Sequence, residues 1–281
     1  MKPVPKKKLG FITKEVFHNN VVKRSTSVCY YDCTNYFFEC EHEDDAYIDP
    51  VTGEIFRELR KYGPSKEHRP TPIVQMGLFM DGNGIPISMC INPGSQNEQL
   101  SAVPLEHKIT KMFGSDIFFY CADGGLGSYP IREYNSMGER AYIVTQSVKK
   151  LSDASRILDI SANRYKIEDC FRVLKTNFEA RPAYVSEHNH IIGHFITCYT
   201  ALLVYRLLEA KLEQTGHHFT IDQIIDTLKA MNVMNFQDTY YAAAYDCGEV
   251  CTALNAAFGL GLDRKYYEPK ALNKKLKNIL K

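Results

Sequence analysis

The sequence predicts an α/β fold, a mixed sheet flanked by helices, on three observations. Val28 to Phe38 is dense in β-branched and aromatic side chains, the composition of a strand. Ile73 to Met80 and Ile85 to Ile91 are apolar runs joined by Asp81-Gly82-Asn83-Gly84, a strong hairpin signal. Ile117-Phe118-Phe119-Tyr120-Cys121-Ala122 is unbroken apolar sequence, the pattern of a strand covered on both faces. A meander of strands, a helix, a buried strand, a further strand and then helices is the order in which helices pack on a sheet.

Taken in order, the first strand alternates Val28, Tyr30 and Asp32 on one face with Cys29, Tyr31 and Cys33 on the other. Pro50 to Pro72 is polar, carries Gly53, Gly63, Pro64 and Pro70, and reads mostly as loop with room for one short element. Gln96 to Met112 reads as a helix. The buried strand ends at Asp123, followed by Gly124-Gly125, and Ala141 to Val144 is a further short strand. After Ser161 the chain reads as predominantly helical: a segment around Glu168, a core helix over 191–213, another over 221–231, and a last one over 247–258 before Gly259 and Gly261. These boundaries suggest a basic N-terminal segment over 1–24, a core over 25–215 and a helical C-terminal extension with a basic tail over 216–281.

Composition narrows the class. The chain has 281 residues, enough for one large domain or two small ones with a real core. Lys+Arg 34 against Asp+Glu 33 leaves no global basic field to advertise nucleic acid. Local charge remains: Lys2, Lys6, Lys7 and Lys8 at one end, and Lys270, Lys274, Lys275, Lys277 and Lys281 at the other, either touching phosphates or simply solubilising the termini. Nine cysteines, an odd number at irregular spacing, fit a reducing compartment and argue against a disulfide framework. Cys247-x3-Cys251 reads as helical packing, and Cys29, Cys33, Cys40 and His42 lack the paired spacing of a zinc site. No signal-peptide core is visible. Phe195 to Leu208, interrupted by Thr197, Thr200 and Arg206, is too short and polar to span a bilayer and reads as a buried helix. The expectation is a cytoplasmic protein without a membrane partner.

The most informative stretch is Arg164 to Lys175. As a helix it carries Ile167, Phe171, Leu174 and Phe178 along one apolar stripe. Arg164, Glu168, Arg172 and Lys175 form a second stripe, one carboxylate among three cations. A solvated salt-bridge face is the ordinary reading of such a stripe. A metal ligand beside a phosphate backbone is the sharper one, and two upstream acids favour it. Asp32 lies inside an apolar, aromatic strand, a costly place for an unpaired charge. Asp123 ends a buried strand at its carboxyl end, where α/β proteins place ligands. Two-metal phosphoryl transfer needs several carboxylates converging on closely spaced cations, and acids at neighbouring strand ends plus one on an adjacent helix would supply them. Other constellations point less clearly. His190 and His194 are spaced for one helix face, with His194 expected to pack or hydrogen-bond near the site. Gly124-Gly125-Leu126-Gly127 matches no phosphate-loop pattern and lets the chain turn beneath Asp123. His68 and Arg69 lie in a loop that could face DNA.

Asp32 in Tyr30-Tyr31-Asp32-Cys33-Thr34-Asn35-Tyr36-Phe37, Asp123 in Ala122-Asp123-Gly124-Gly125-Leu126, and Glu168 with its flank together resemble the DDE transposases of bacterial insertion sequences. Ser65-Lys66-Glu67-His68-Arg69-Pro70, Asp81-Gly82-Asn83-Gly84-Ile85-Pro86, Tyr142-Ile143-Val144 and Ile167 through Pro182 to His194-Phe195 extend the resemblance over about residues 25–265. The family's helix signature, Tyr-x2-Arg-x3-Glu-x6-Lys, is matched by Arg164, Glu168 and Lys175, whereas its Tyr position falls on Ser161. The resemblance implies a ribonuclease H-like core in which Asp32, Asp123 and Glu168 are both the catalytic residues and the ligands of two Mg²⁺ or Mn²⁺ ions. It implies that Arg164, Arg172 and Lys175 contact DNA, that double-stranded transposon ends and target are the partners, and that a homodimer is one assembly open to the chain. It also implies a bacterial, nucleoid-associated setting and DNA cleavage and strand transfer as the activity. Two departures favour a rival, a remnant that binds DNA without completing transposition. Lys149-Lys150-Leu151-Ser152-Asp153-Ala154 runs almost directly into the Glu168 helix where the family carries a long β-rich insertion, and the chain begins close to the first catalytic strand.

Overall fold

The computed structural model describes residues 27–51, 53, 55–56, 58–113, 118–144, 163–237 and 239–279. The N-terminal lysines, Ser161 and the 149–154 segment lie outside these residues. Strand β1 (Val28–Phe37) is central, and its β-branched and aromatic composition suits a position covered on both faces. The minor strand β3 (Ile55–Phe56), inside the segment read mostly as loop, pairs antiparallel with β2 (Tyr47–Ile48) just before it. Strands β4 (Ile73–Asp81) and β5 (Pro86–Pro93) form the expected hairpin on one side of β1. Asp81 fixes its turn: the carboxylate, buried, accepts the N–H groups of Asn83 at 3.0 Å and Ile85 at 2.9 Å. Gly84 closes the turn at φ +85°, a conformation that glycine adopts without strain. Strands β6 (Phe118–Ala122) and β7 (Arg140–Val144) follow on the other side, both parallel to their inner neighbours. The order β5-β4-β1-β6-β7, antiparallel on one side and parallel on the other, is the predicted mixed sheet flanked by helices, the ribonuclease H-like arrangement.

The two faces of β1 bury different partners. Cys29, Tyr31 and Cys33 meet Phe79, Ile87 and Tyr120, and helix α1 (Ala102–Phe113) covers them with Leu105 and Ile109. Gly77 on β4 is required here, because a Cβ would stand 2.6 Å from the Tyr31 hydroxyl. The short helix α2 (Tyr129–Tyr134) adds Ile131 to the same cluster. On the opposite face helix α3 (Tyr165–Arg172) packs on β1, and Phe195 of helix α4 (His188–Glu213) meets the Tyr36 ring edge-on at 5.0 Å. By length and composition α4, with 26 residues, could cross a membrane; it starts three residues before the core helix read from the sequence over 191–213. Ile191, Phe195, Tyr199, Leu202 and Leu203 are nonetheless buried in the protein, as expected of a core helix.

The chain divides into two compact units, with the boundary after Arg206. In the second, helix α5 (Ile221–Ala230) opens on a capping box, with the Thr220 and Gln223 side chains each accepting the other's backbone N–H. To the expected helices this unit adds a small sheet. Strands β8 (Val233–Phe236), β9 (Tyr240–Ala243) and β10 (Tyr266–Tyr267) form an antiparallel sheet alongside helices α6 (Glu249–Phe258) and α7 (Pro269–Ile279). These strands are two to four residues long, too short for a period-2 pattern to emerge. The cysteine reading is corrected. Cys247 and Cys251 are disulfide-bonded with Cα atoms 5.2 Å apart, while the other seven cysteines are free. Cys247 precedes the N-cap Gly248 rather than lying on α6, which permits the short bridge.

Candidate active site

Parallel pairing of β1 with β6 sets the first two acids level. Tyr30 pairs with Cys121 at the last register position, and Asp32 and Asp123 each lie two residues beyond. Adjacent strands are about 4.8 Å apart, so the two aspartates stand side by side where β6 ends, while β1 runs on to Phe37. Asp32 is partly buried and accepts the Cys33 N–H at 2.8 Å. Burial pushes its carboxyl above the ordinary range, while Lys66 and Arg164 pull the other way. Asp123 caps the one-turn helix Gly124–Leu126, accepting the Gly124 N–H at 2.7 Å. The glycine that this turn needs is Gly127, where a Cβ would stand 2.7 Å from Val144; Gly125 is not in the left-handed region and has open space around it.

Glu168 comes from α3, and Arg164 connects it to Asp123. The guanidinium lies 3.3 Å from Glu168 and 3.7 Å from Asp123. Packing beneath holds the helix in place. Ile167, Cys170, Phe171 and Leu174 are buried, and Arg206 of α4 pairs at 2.5 Å with Asp169, the residue next to Glu168. Arg172 also pairs with Asp169, at 2.6 Å, so it is spent partly on its own helix. Asn163 hydrogen-bonds the Tyr30 hydroxyl, whose pKa is pushed up to about 12, mainly by burial. The helical stripe is not continuous. At Val173–Asn177 the chain widens into a π-helical turn carrying Lys175, the kind of irregularity often met at functional sites.

Lys175 points inward, donating to Thr34 Oγ1 at 2.6 Å and to Glu67 at 3.4 Å. Burial pulls its pKa down. A cleft of about 330 Å³ is lined by Asp32, Lys66, Glu168, Arg172, Lys175 and Arg181 among others; Asp123 is not part of its lining. Lys66, Glu67 and Arg181 are site members that periodicity could not nominate, because they come from a loop and from the segment after the π turn. Their one signal was the charge density of Ser65-Lys66-Glu67-His68-Arg69-Pro70. Arg69 itself lies over the Phe37 ring at 4.2 Å. His194 shares a hydrogen bond with Ala180 O at 3.1 Å, as packing near the site required.

The donor set of Asp32, Asp123 and Glu168 is all hard carboxylate oxygen, the chemistry that Mg²⁺ and Mn²⁺ prefer. Asp32, its charge disfavoured by burial, would gain most from a cation. Among the described residues no three His, Cys, Asp or Glu side chains form a ready-made metal cluster. Arg164 provides positive charge between Asp123 and Glu168 instead.

No protein-family model matches the chain, and no curated protein matches it. Among solved structures it is similar to three Mos1 assemblies. The Mos1 transposase paired-end complex with left transposon end is 12% identical at a TM-score of 0.27, covering 72% of this chain and 63% of that one. The Mos1 mariner paired end complex with Mn is 11% identical at 0.29, with coverage of 72% and 63%. A pre-cleavage Mos1 transpososome is 11% identical at 0.26, with coverage of 76% and 62%. The chain thus spans under two thirds of the length of these proteins.

Proposed function

We propose that the unit ending at Arg206 is a DDE-type DNA transposase core that cleaves DNA strands and transfers them. The observation that supports this reading is that Arg164 joins Asp123 to Glu168 while Asp32 and Glu168 line one cleft. Asp32 and Asp123 stand level on adjacent strands, and Asp123 and Glu168 share Arg164. Asp32, Asp123 and Glu168 would hold two Mg²⁺ or Mn²⁺ ions, which when bound supply Lewis-acid activation of water or a 3′-hydroxyl and stabilise the leaving oxygen. The protein's own part is to position the strand. Arg164, Arg172 and Lys175 offer cations to backbone phosphates, and Lys175, held by Thr34 and Glu67, is the most tightly placed of them. Double-stranded DNA is the partner this surface fits.

The rival, a DNA-binding remnant without cleavage, is favoured by one observation: the acids are neutralised by Arg164 rather than gathered as a cluster. Nicking of supercoiled plasmid carrying the gene's flanking DNA separates the two. Metal-dependent nicking, lost in EDTA and in Glu168→Gln while DNA binding persists, is the outcome expected. A folded protein that binds this DNA and never nicks it would leave the remnant standing.

A further inference from the structure

Two cations pair with one carboxylate beside the cleft, and a third cation lines the same cleft. Glu67 Oε1 accepts Lys175 Nζ at 3.4 Å and is paired with Arg181. Lys66, the residue beside Glu67, lines the same cleft and donates to Cys33 O at 2.6 Å. Lys175 experiences both Arg181 and Lys66 as repelling charges. Lys66 lies near Asp32, so Lys175 and Arg181 are left to share the single charge of Glu67, and like charges this close repel. Glu67 is itself incompletely used, because its Oε2 is buried without a hydrogen-bond partner.

The scaffold holds these cations from three directions. The Asn35 side chain donates to Pro64 O at 3.0 Å and accepts the Lys66 N–H at 3.4 Å, pinning the loop to β1. The π turn sets Lys175 against Thr34. The returning segment is tied by Ala183, whose N–H donates to Phe37 O at 3.2 Å, and this sets Arg181. Asp32 and Glu168 line the same cleft. Converging lysine and arginine donors beside carboxylates, with charge to spare, suit a phosphodiester oxygen.

We propose that Lys66, Lys175 and Arg181 form a seat for one backbone phosphate of a DNA strand, and that Glu67 is its built-in counter-ion, holding the cations in place until the phosphate arrives. This rests on DNA being the substrate of the neighbouring acids. It adds Lys66 and Arg181 as strand-positioning residues and gives Glu67 an autoinhibitory role.

The test is binding of a fluorescent duplex oligonucleotide in EDTA by the full chain and by Lys66→Gln, Arg181→Gln and Glu67→Gln, with circular dichroism confirming the fold. Lys66→Gln and Arg181→Gln are each expected to weaken binding by about 5- to 30-fold and to lower the salt dependence by about one counterion, as loss of a phosphate contact does. Glu67→Gln is expected to tighten it several-fold. Affinities unchanged in both cation variants overturn the seat, as does a folded Glu67→Gln that binds as weakly as they do. Lys66 is exposed, so its variant keeps the test open even if Glu67→Gln fails to fold. Inorganic phosphate titrated alone should bind weakly and lose that binding in Lys66→Gln; tight phosphate binding without duplex binding would reject a DNA strand as occupant. Plasmid nicking run in parallel separates this inference from the reading it rests on. Nicking with unchanged affinities removes the seat alone, whereas the expected affinity pattern without nicking keeps the seat and removes the transposase.

Discussion

Arg164 decides the state of the acids as they stand. Its two contacts join carboxylates that are 56% and 58% exposed, so each ion pair contributes only about 0.2–1 kcal/mol. An interaction that weak holds the side chains together yet yields to a divalent cation. Arg164→Gln should therefore raise Mn²⁺ affinity by a few-fold to about tenfold, measured by Mn²⁺ electron paramagnetic resonance, even if DNA binding suffers. An unchanged or lower Mn²⁺ affinity would mean that Arg164 positions the acids and does not compete with the ion. Sequence alone could nominate Asp32, Asp123, Glu168, Arg164 and Lys175, since spacing on a helix and position in or after a strand are local properties. It gave Lys66, Glu67 and Arg181 no role, because their meeting depends on where a loop and a return segment cross β1.

Helix α3 carries Glu168, and the helix is only as well placed as its contact with α4. Arg206, nearly buried, grips Asp169, and Arg172 grips it from the solvent side. Together they hold the Asp169 carboxyl below the usual range against the opposing effect of burial. A depressed acid stabilises the fold above its unfolded pKa of about 3.9 and loses that contribution as pH falls through the lower folded value. Asp169→Asn should therefore cost about 1–2 kcal/mol at pH 6, the charge remaining partly screened by water. In urea melts the gap between mutant and wild type should narrow as pH falls below about 3.9. A gap that persists there would assign the loss to packing rather than charge. The amphipathic stripe of this helix was legible because Ile167, Phe171 and Leu174 repeat at helical spacing. The π turn was not, because nothing in Val173-Leu174-Lys175-Thr176-Asn177 distinguishes one extra residue in a turn from a regular one.

For the whole molecule, the central sheet could be read in advance because most of its strands are apolar runs bounded by turn chemistry, with only the five-residue β7 short and partly exposed. The small sheet of the second unit could not, its strands being short and largely exposed. Global stability adds a feature invisible to pattern. Glu106, on the core side of α1, is fully buried with Asn135 donating to it at 3.0 Å and Arg140 3.6 Å away. Burial outweighs both partners and pushes its pKa up to about 7. The folded state therefore binds a proton that the unfolded chain has already released, and stability falls as pH rises from about 4.3, the unfolded value, towards 7. Glu106→Gln keeps the size and an amide for hydrogen bonding without the charge. It should be more stable than wild type by about 1–3 kcal/mol at pH 8 and indistinguishable from it below pH 4. Chemical denaturation across that range checks both ends. If Glu106→Gln is the less stable protein at pH 8, the pair with Arg140 outweighs desolvation and the sign of the argument is reversed. If it is the more stable, this core keeps a buried charge at a cost to its own stability.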